Sequence, residues 1–261
     1  PDGSRVAFFA AVMRPTPSTS VLLTKVYIFR TDDVLSRQTP TPTAVYTVAR
    51  PTEELFLNRF SEDGTILFVT DGTGHILFFD TEQPKQESVA ITGGVPVIME
   101  TDGRGRLLVL KAGSNNLDII DIAGKKVLTT VRLDSSPRNV LFNDATGRIY
   151  VAHAGSAGVS VIDAQNMTIV SKVKVGSDPM AMTYDKNTGD VFVANSSAGT
   201  ISIITPDLRV KTVDTHAPIY TDSERSPIAL FYLNTEKKLF ILNFFTAKLS
   251  VFDIVRGEII K

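Results

Sequence analysis

The chain has 261 residues, of which 43% are hydrophobic and 21% charged, with no cysteine and a formal net charge of −1. The lack of cysteine excludes disulfides, thiolate catalysis, Cys-ligated zinc and haem attachment through a Cys pair, and the near-neutral balance argues against charge-driven binding to nucleic acid or an anionic membrane. No apolar run approaches the ~20 residues that cross a bilayer, so no transmembrane segment is expected.

The first ten residues, PDGSRVAFFA, hold no signal peptide, and Pro1 reads as the middle of a turn, so the chain is expected to be part of a longer polypeptide. RVAFFA, ending at Ala10, is the first predicted strand, and VYIFR is the next. Two stretches rich in Pro, Ser and Thr, Met13 to Thr24 and Asp32 to Thr43, read as insertions on successive turns and are expected to be extended, poorly packed loops. Val21, Leu22 and Leu23 in the first of them are expected at the surface, where an apolar run suits a docking contact.

From there the chain repeats itself. TILFVTD ends at Asp71 and is followed by HILFFD; PVIME leads to RLLVLK, ending at Lys111, then LDIID and KVLTTVRL. PRNVLF leads to RIYVAH, ending at His153, then VSVID and TIVSKVKV; PMAMTY leads to DVFVAN, ending at Asn195, then ISIIT. A long connection, Thr215 to Pro227, carries Tyr220 and Arg225 as further partner-loop candidates, because long loops in compact repeat folds carry recognition more often than tight turns do. PIALFY then leads to KLFILN, ending at Asn243, LSVFD and the final GEIIK.

The repeated end points Asp71, Lys111, His153, Asn195 and Asn243 step by 40, 42, 42 and 48 residues, while the first step, from Ala10, is 61. Pro96, Pro137, Pro179 and Pro227 recur with the same beat. Four short β-branched or alternating runs per ~40–45 residues, divided by Gly, Asn, Asp, Ser and Pro clusters, are the pattern of a β-propeller blade. Helices are excluded because the runs are too short and too often interrupted by turns such as EDGT, DATG and KNTG. The expected fold is therefore all-β: one β-propeller domain of four-stranded antiparallel blades, with blades near 1–50, 51–92, 93–133, 134–175, 176–217 and 218–261.

The stretch RIYVAHAGSAGVSVIDAQNMTIVSKVKVGSDPMAMTYDKNTGDVFVANSSAGTISII resembles two tandem units of the YVTN-type β-propeller repeat family. The resemblance is fair in the units holding Lys111 and Asn243 and weak at Asp71. It implies that each proline-led strand is innermost, so that the first unit lacks its inner strand and the last stops within its outermost one. Six blades are then visible, as part of a seven-bladed ring or, alternatively, of a six-bladed ring closed by a further strand. The resemblance also implies an extracytoplasmic setting, in the periplasm or on a cell surface, since such repeats are common in exported prokaryotic proteins.

The same resemblance places two sets of loops on a ligand-facing side. Lys111, His153, Asn195 and Asn243 lie near one set, and Arg138 and Asp178 in or beside the other, which makes these six the candidate binding residues at a channel mouth. The competing structural reading is that they begin inter-strand turns, whose geometry Asn, Asp and His tolerate. Asp80, Asp121, Asp163 and Asp253 each close the second run of their units; one carboxylate per blade suits acceptance of backbone N–H groups better than acid–base pairing. DKNTGD, from Asp185 to Asp190, has the oxygens of a calcium loop but not its terminal glutamate, and reads as a tight hairpin.

His75, His153 and His216 share no metal-ligand spacing, and there is no G-x-S-x-G elbow. No cofactor, metal site or catalytic residue is assigned. The leading functional expectation is a non-catalytic scaffold that presents loops to a protein partner, as a subunit or accessory domain of a larger assembly. The alternative is a propeller enzyme, lactonase-like or a quinoprotein or redox dehydrogenase, with His153, Arg138, Asp178 and Lys111 as its only plausible set. A small ligand at the channel fits either, and no nucleic-acid partner is expected.

Overall fold

A computed structural model describes residues 5–15, 20–36, 39–50, 57–70, 74–83, 86–90, 94–134, 136–214, 227–243 and 248–260. The described residues are all-β apart from a five-residue helix α1 (Thr31–Leu35) and one 3-10 turn. Its strands form six antiparallel sheets that follow one another in sequence, a β-propeller-like order. The first contains β1 (Arg5–Pro15), β2 (Ser20–Arg30) and β3 (Ala44–Arg50); the second β4 (Asn58–Phe60), β5 (Ile66–Thr70), β6 (His75–Asp80) and β7 (Gln86–Ala90). The third contains β8 (Pro96–Thr101), β9 (Arg106–Lys111), β10 (Asn116–Asp121) and β11 (Lys126–Arg132).

The fourth sheet contains β12 (Pro137–Asn143), β13 (Arg148–His153), β14 (Gly158–Asp163) and β15 (Thr168–Lys174); the fifth β16 (Pro179–Tyr184), β17 (Val191–Asn195), β18 (Thr200–Ile204) and β19 (Val210–Asp214). The sixth contains β20 (Pro227–Leu233), β21 (Lys238–Asn243), β22 (Lys248–Asp253) and β23 (Glu258–Ile259). In every sheet the strands pair in chain order, so each is a simple meander. The chain divides into two compact units, residues 1–114 with 118–129 and residues 115–117 with 130–261, and the division runs through the third sheet.

The first sheet corrects one expectation. Val21, Leu22 and Leu23, expected on an inserted loop, lie within β2, where Leu22 and Leu23 stand opposite Arg50 and Ala49 of β3. β1 and β2 pair without interruption from Arg5↔Arg30 to Pro15↔Ser20, so Met13 to Pro15 and Ser20 to Thr24 extend a hairpin ladder. The apolar and β-branched run that suggested a sticky loop is also what a ladder needs.

In the first unit, Val26, Ile28, Tyr46 and Val48 of the first sheet meet Leu67, Val69, Leu77 and Phe79 of the second. The second sheet's other face, with Phe68, Ile76 and Phe78, meets Met99, Leu107, Val109 and Ile120 of the third. In the second unit, Tyr150, Ala152, Val159 and Val161 of the fourth sheet meet Met182, Val191, Val193 and Ile204 of the fifth. Phe192, Ala194 and Ile201 of the fifth meet Tyr232, Leu239, Ile241 and Phe252 of the sixth. Alternation along each strand thus feeds two interfaces rather than one core, because an internal sheet buries both faces. Each fully buried Leu, Ile or Phe contributes about 1.5–3 kcal/mol to this stacking.

Polar groups repeat as regularly. The Ser136 and Asp178 carbonyls, each just before a strand-opening proline, accept the Ala154 and Ser196 N–H groups at 3.1 and 2.9 Å. Val95 does the same for Ala112 at 2.8 Å. Ser136 and Asp178 hold φ near +55°, at 55° and 54°, an unfavourable region for residues other than glycine. At the other end of the strands Asn143 donates to the Gly189 carbonyl at 2.9 Å, a bridge from the fourth sheet to the fifth. Gly189 has φ +78°, and a Cβ there would meet Thr146 Cγ2 at 2.9 Å, so both conformation and space favour glycine.

Candidate functional site

Four of the six candidate residues end the second strand of their repeat, and all four turn inward. His153 is 1% exposed and Asn195 0%; Lys111 and Asn243 are buried too. Each meets a polar side chain seven residues further on. Lys111 Nζ lies 2.6 Å from the Asp118 carboxylate, and His153 Nε2 lies 2.9 Å from Ser160 Oγ. Asn195 Nδ2 donates to Ser202 Oγ at 2.9 Å and to Thr200 Oγ1 at 3.0 Å, and Asn243 Nδ2 donates to Ser250 Oγ at 3.3 Å.

The register explains the step of seven. His153 stands opposite Gly158, which puts Ser160 two residues along the neighbouring strand and on the same face. Asn195 stands opposite Thr200, and Asn243 opposite Lys248, with the same consequence for Ser202 and Ser250. Sequence reasoning found the first member of each pair and missed the second. The signal was a lone polar residue in an apolar third strand: LDI, VSV, ISI and LSV.

A histidine beside a serine hydroxyl suggests an activated nucleophile. Ser160 is 1% exposed, like His153, and the equivalent places in the next two repeats pair Asn195 and Asn243 with serines, without any base. The shared feature is a buried polar pair satisfied across two strands, a structural requirement in a low-dielectric interior.

Arg138 and Asp178 lie apart from these pairs. Arg138 is exposed, and the β12–β13 register slips across it, Pro137 opposing His153 while Asn139 opposes Ala152. It is therefore the extra residue of a β-bulge, which turns its side chain out of the ladder. The same slip follows Pro96, Pro179 and Pro227. The Asp178 carboxylate accepts the Ser197 hydroxyl at 3.3 Å. Tyr220 and Arg225 lie outside the described residues.

The carboxylates that close the second run take the turn role expected of them. Asp80 Oδ1 accepts the Glu82 and Gln83 N–H groups at 2.8 and 2.9 Å, and Asp163 Oδ1 those of Gln165 and Asn166 at 2.8 and 3.0 Å. Asp253 accepts two in the same way and Asp121 one. Asp185, the first oxygen of the loop weighed as a calcium site, is buried and takes a cation from the chain itself: Lys237 Nζ is 2.8 Å away, with Tyr232 OH also at 2.8 Å. Burial pushes this carboxyl upward, but hydrogen bonds from Lys237, the Asn187 N–H and Tyr232 outweigh it and hold it below the ordinary aspartate value. The Tyr232 phenol is pushed well up, first by burial and then by Asp185.

In the first unit a cleft of about 390 Å3 opens between the second and third sheets, with Glu62, Asp63, Thr65 and Arg106 around Ile66 and Ile122. Asp63, Thr65 and Arg106 are already engaged within the chain. Asp63 is held low by the Ser61 hydroxyl against a smaller upward push from burial, and Arg106 Nε meets the buried Asp102 at 2.5 Å. Nearby, Arg59 pairs with Glu100, whose carboxyl burial raises despite that guanidinium. Among the described residues no group of three His, Asp or Glu side chains is placed to hold a metal.

Among the described residues the sixth sheet carries several exposed apolar side chains. Phe231 is 63% exposed, Leu249 55% and Leu242 39%, all on the sixth sheet. Leu242 and Leu249 are directly opposite one another, and Phe231 opposes Phe240 on the same face.

No family model matches this chain, and no curated protein does. Among solved structures it is similar to the crystal structure of a functionally unknown protein from Desulfotomaculum acetoxidans DSM 771, with 14% sequence identity and a TM-score of 0.65. The match covers 90% of this chain and 74% of that one. At this identity the similarity establishes the all-β, propeller-like fold, which is shared by proteins of many functions.

Proposed function

We propose that the chain is a propeller-type scaffold, of the kind its YVTN-like repeats suggest, whose role is to bind another protein rather than to transform a substrate. The observation that carries this reading is the exposure of Phe231, Leu242 and Leu249 on the sixth sheet: among the described residues they form a contiguous apolar set, and such a set suits a contact surface. The buried pairing of Lys111 and His153 supports the same reading, because it removes two members of the set that a channel-mouth enzyme would need. The resemblance to exported repeats supports an extracytoplasmic setting.

The test is a photo-crosslinking amino acid at Leu249, expressed in the native cell, with Val255 as the control because it is 80% exposed yet lies in a turn. Protein adducts at position 249 that are absent at 255 are expected. A chain that forms none at position 249 would overturn the scaffold reading.

A further inference from the structure

The residue five places on from the strand-opening proline is aromatic in the fourth, fifth and sixth sheets, as Phe142, Tyr184 and Tyr232, and is Thr101 in the third. The strand registers make these places equivalent: Tyr184 opposes Val191, Tyr232 opposes Leu239 and Thr101 opposes Leu107. In the fifth and sixth sheets the phenol reaches back to a carboxylate on the turn of the preceding repeat. Tyr184 OH donates to Asp144 at 2.9 Å, and Tyr232 OH to Asp185 at 2.8 Å. The second sheet keeps a counterpart of the acceptor. Ser61 pairs with Ile66 across its turn as Asn143 pairs with Arg148, so Glu62 occupies the place of Asp144. The second and third sheets thus hold the acceptor of this contact and lack the ring.

The cleft of about 390 Å3 in the first unit lies at this place, since Thr101 and Glu62 both line it. Two further differences keep it open. Arg148 Nη1 of the fourth sheet donates to the Pro206 carbonyl at 2.6 Å, whereas its counterpart Ile66 has neither the length nor a donor. The turn of the third sheet is also shorter, with Gly103 to Gly105 between Asp102 and Arg106 where Lys186 to Gly189 lie between Asp185 and Asp190. The last glycine of each turn shows the effect. A Cβ on Gly189 would meet Thr146, Pro206 and Ala145, whereas a Cβ on Gly105 would meet nothing within 4 Å. Ile66 and Ile122 give the cleft apolar walls. The exposed Glu62 leans its carboxylate against Gly103, where a Cβ would collide with it.

We infer that this cleft binds a phenol group, its ring seated among Ile66, Ile122 and Thr101 and its hydroxyl donating to Glu62 as Tyr184 donates to Asp144. The volume falls within the range of about 300–1,000 Å3 usual for small-ligand sites, and the lining has their make-up, apolar walls with a few placed polar groups. An aromatic ring brings a large apolar area to such walls, and a hydroxyl donating to a carboxylate makes a strong, charge-assisted bond that fixes its orientation. Asp63, the other carboxylate of the lining, is taken up by Ser61 and Thr65, so Glu62 is the acceptor. A free small molecule and a tyrosine of another chain both present this group and use the same contacts. The site shares no residue with the sixth sheet and does not depend on the scaffold reading.

The test titrates the full chain by calorimetry with p-cresol, with p-methylanisole, which has the same ring without the donor, and with the peptide acetyl-Ala-Tyr-Ala-amide. p-Cresol should bind saturably, and p-methylanisole about tenfold or more weakly, the loss expected for a hydrogen bond to a charged group. Glu62→Ala should weaken p-cresol by a similar factor and leave p-methylanisole unchanged. Thr101→Tyr, which supplies the ring from within the chain, should abolish p-cresol binding and raise Tm. Thr101→Phe should block the cleft as well, and far-UV circular dichroism confirms that each variant folds. A peptide bound more tightly than p-cresol assigns the phenol to a tyrosine of a protein partner; one bound no more tightly assigns it to a free small molecule. Absence of saturable binding by both p-cresol and the peptide overturns the inference. So does equal binding of p-cresol and p-methylanisole, or p-cresol binding that survives Thr101→Tyr.

Discussion

Lys111 Nζ and the Asp118 carboxylate lie 2.6 Å apart with both side chains 4% exposed, at the position where other repeats hold His153 with Ser160 and Asn195 with Ser202. A buried ion pair and two hydrogen-bonded pairs thus fill one slot. Desolvating two charges offsets most of their attraction, so such a pair adds little over a neutral one, while removal of one partner strands the other. Asp118→Ala should therefore cost about 3–5 kcal/mol in urea unfolding. The double change Lys111→Asn with Asp118→Ser, which installs the fifth sheet's pair, should recover most of that loss. A double variant as unstable as Asp118→Ala would mean that the slot is not interchangeable.

Tyr150 makes a simpler case. Its ring is fully buried, and its hydroxyl has no hydrogen-bond partner. The next two repeats place Phe192 and Phe240 at the same position. An unpaired buried hydroxyl costs free energy that an isosteric apolar group does not. Tyr150→Phe is expected to stabilise the chain by about 1 kcal/mol and to raise Tm by roughly 2–4 °C in a calorimetric scan. A fall in Tm would show that the hydroxyl is satisfied.

These cases mark what the sequence made legible. The end points at Lys111, His153, Asn195 and Asn243 fixed the repeat, and the strands fall where the apolar runs put them, because alternation and turn residues are local signals. Direction is not local. A polar residue at a strand end reads the same whether it faces solvent or a serine on the neighbouring strand, and only the register, His153 against Gly158, decides. The bulge at Arg138 was not legible for a related reason, since a bulge adds one residue without changing composition. Val21 to Leu23 read as a loop because Pro15, Pro17 and the surrounding Ser and Thr outweighed an apolar run, and β1 and β3 supplied the partners that turned it into a strand.

Gly176 shows how closely one buried pair is enclosed. A Cβ there would lie 2.7 Å from Asn195 Cγ and 2.8 Å from its Nδ2, and Asn195 is held by the Thr200 and Ser202 hydroxyls. The glycine's φ is outside the left-handed region, so the obstacle to alanine is space alone. Gly176→Ala should cost about 1–3 kcal/mol by overpacking. Combined with Asn195→Ala it should cost less than the sum of the two single changes, because the second removes Cγ and Nδ2 and leaves only the Cβ of residue 195, 2.8 Å away, in the way. Strict additivity in the unfolding cycle would place the effect elsewhere.

Asp185 gives the chain a signature in acid. It joins the fifth sheet to the sixth through Tyr232 and Lys237, and its folded-state value lies below the ordinary aspartate value of 3.8. A carboxyl depressed on folding stabilises the native state fully above its unfolded value, and that contribution is lost as pH falls through the lower folded value. Asp185→Asn should thus be less stable than the unaltered chain by roughly 1.5–3 kcal/mol at neutral pH, the range for a hydrogen bond to a charged group. The gap should close as pH drops below 3.8, where the unaltered chain progressively loses what the variant never had. Urea unfolding at successive pH values measures this directly. A gap that stays constant into that acid range would mean that Asp185 acts through its shape and not its charge.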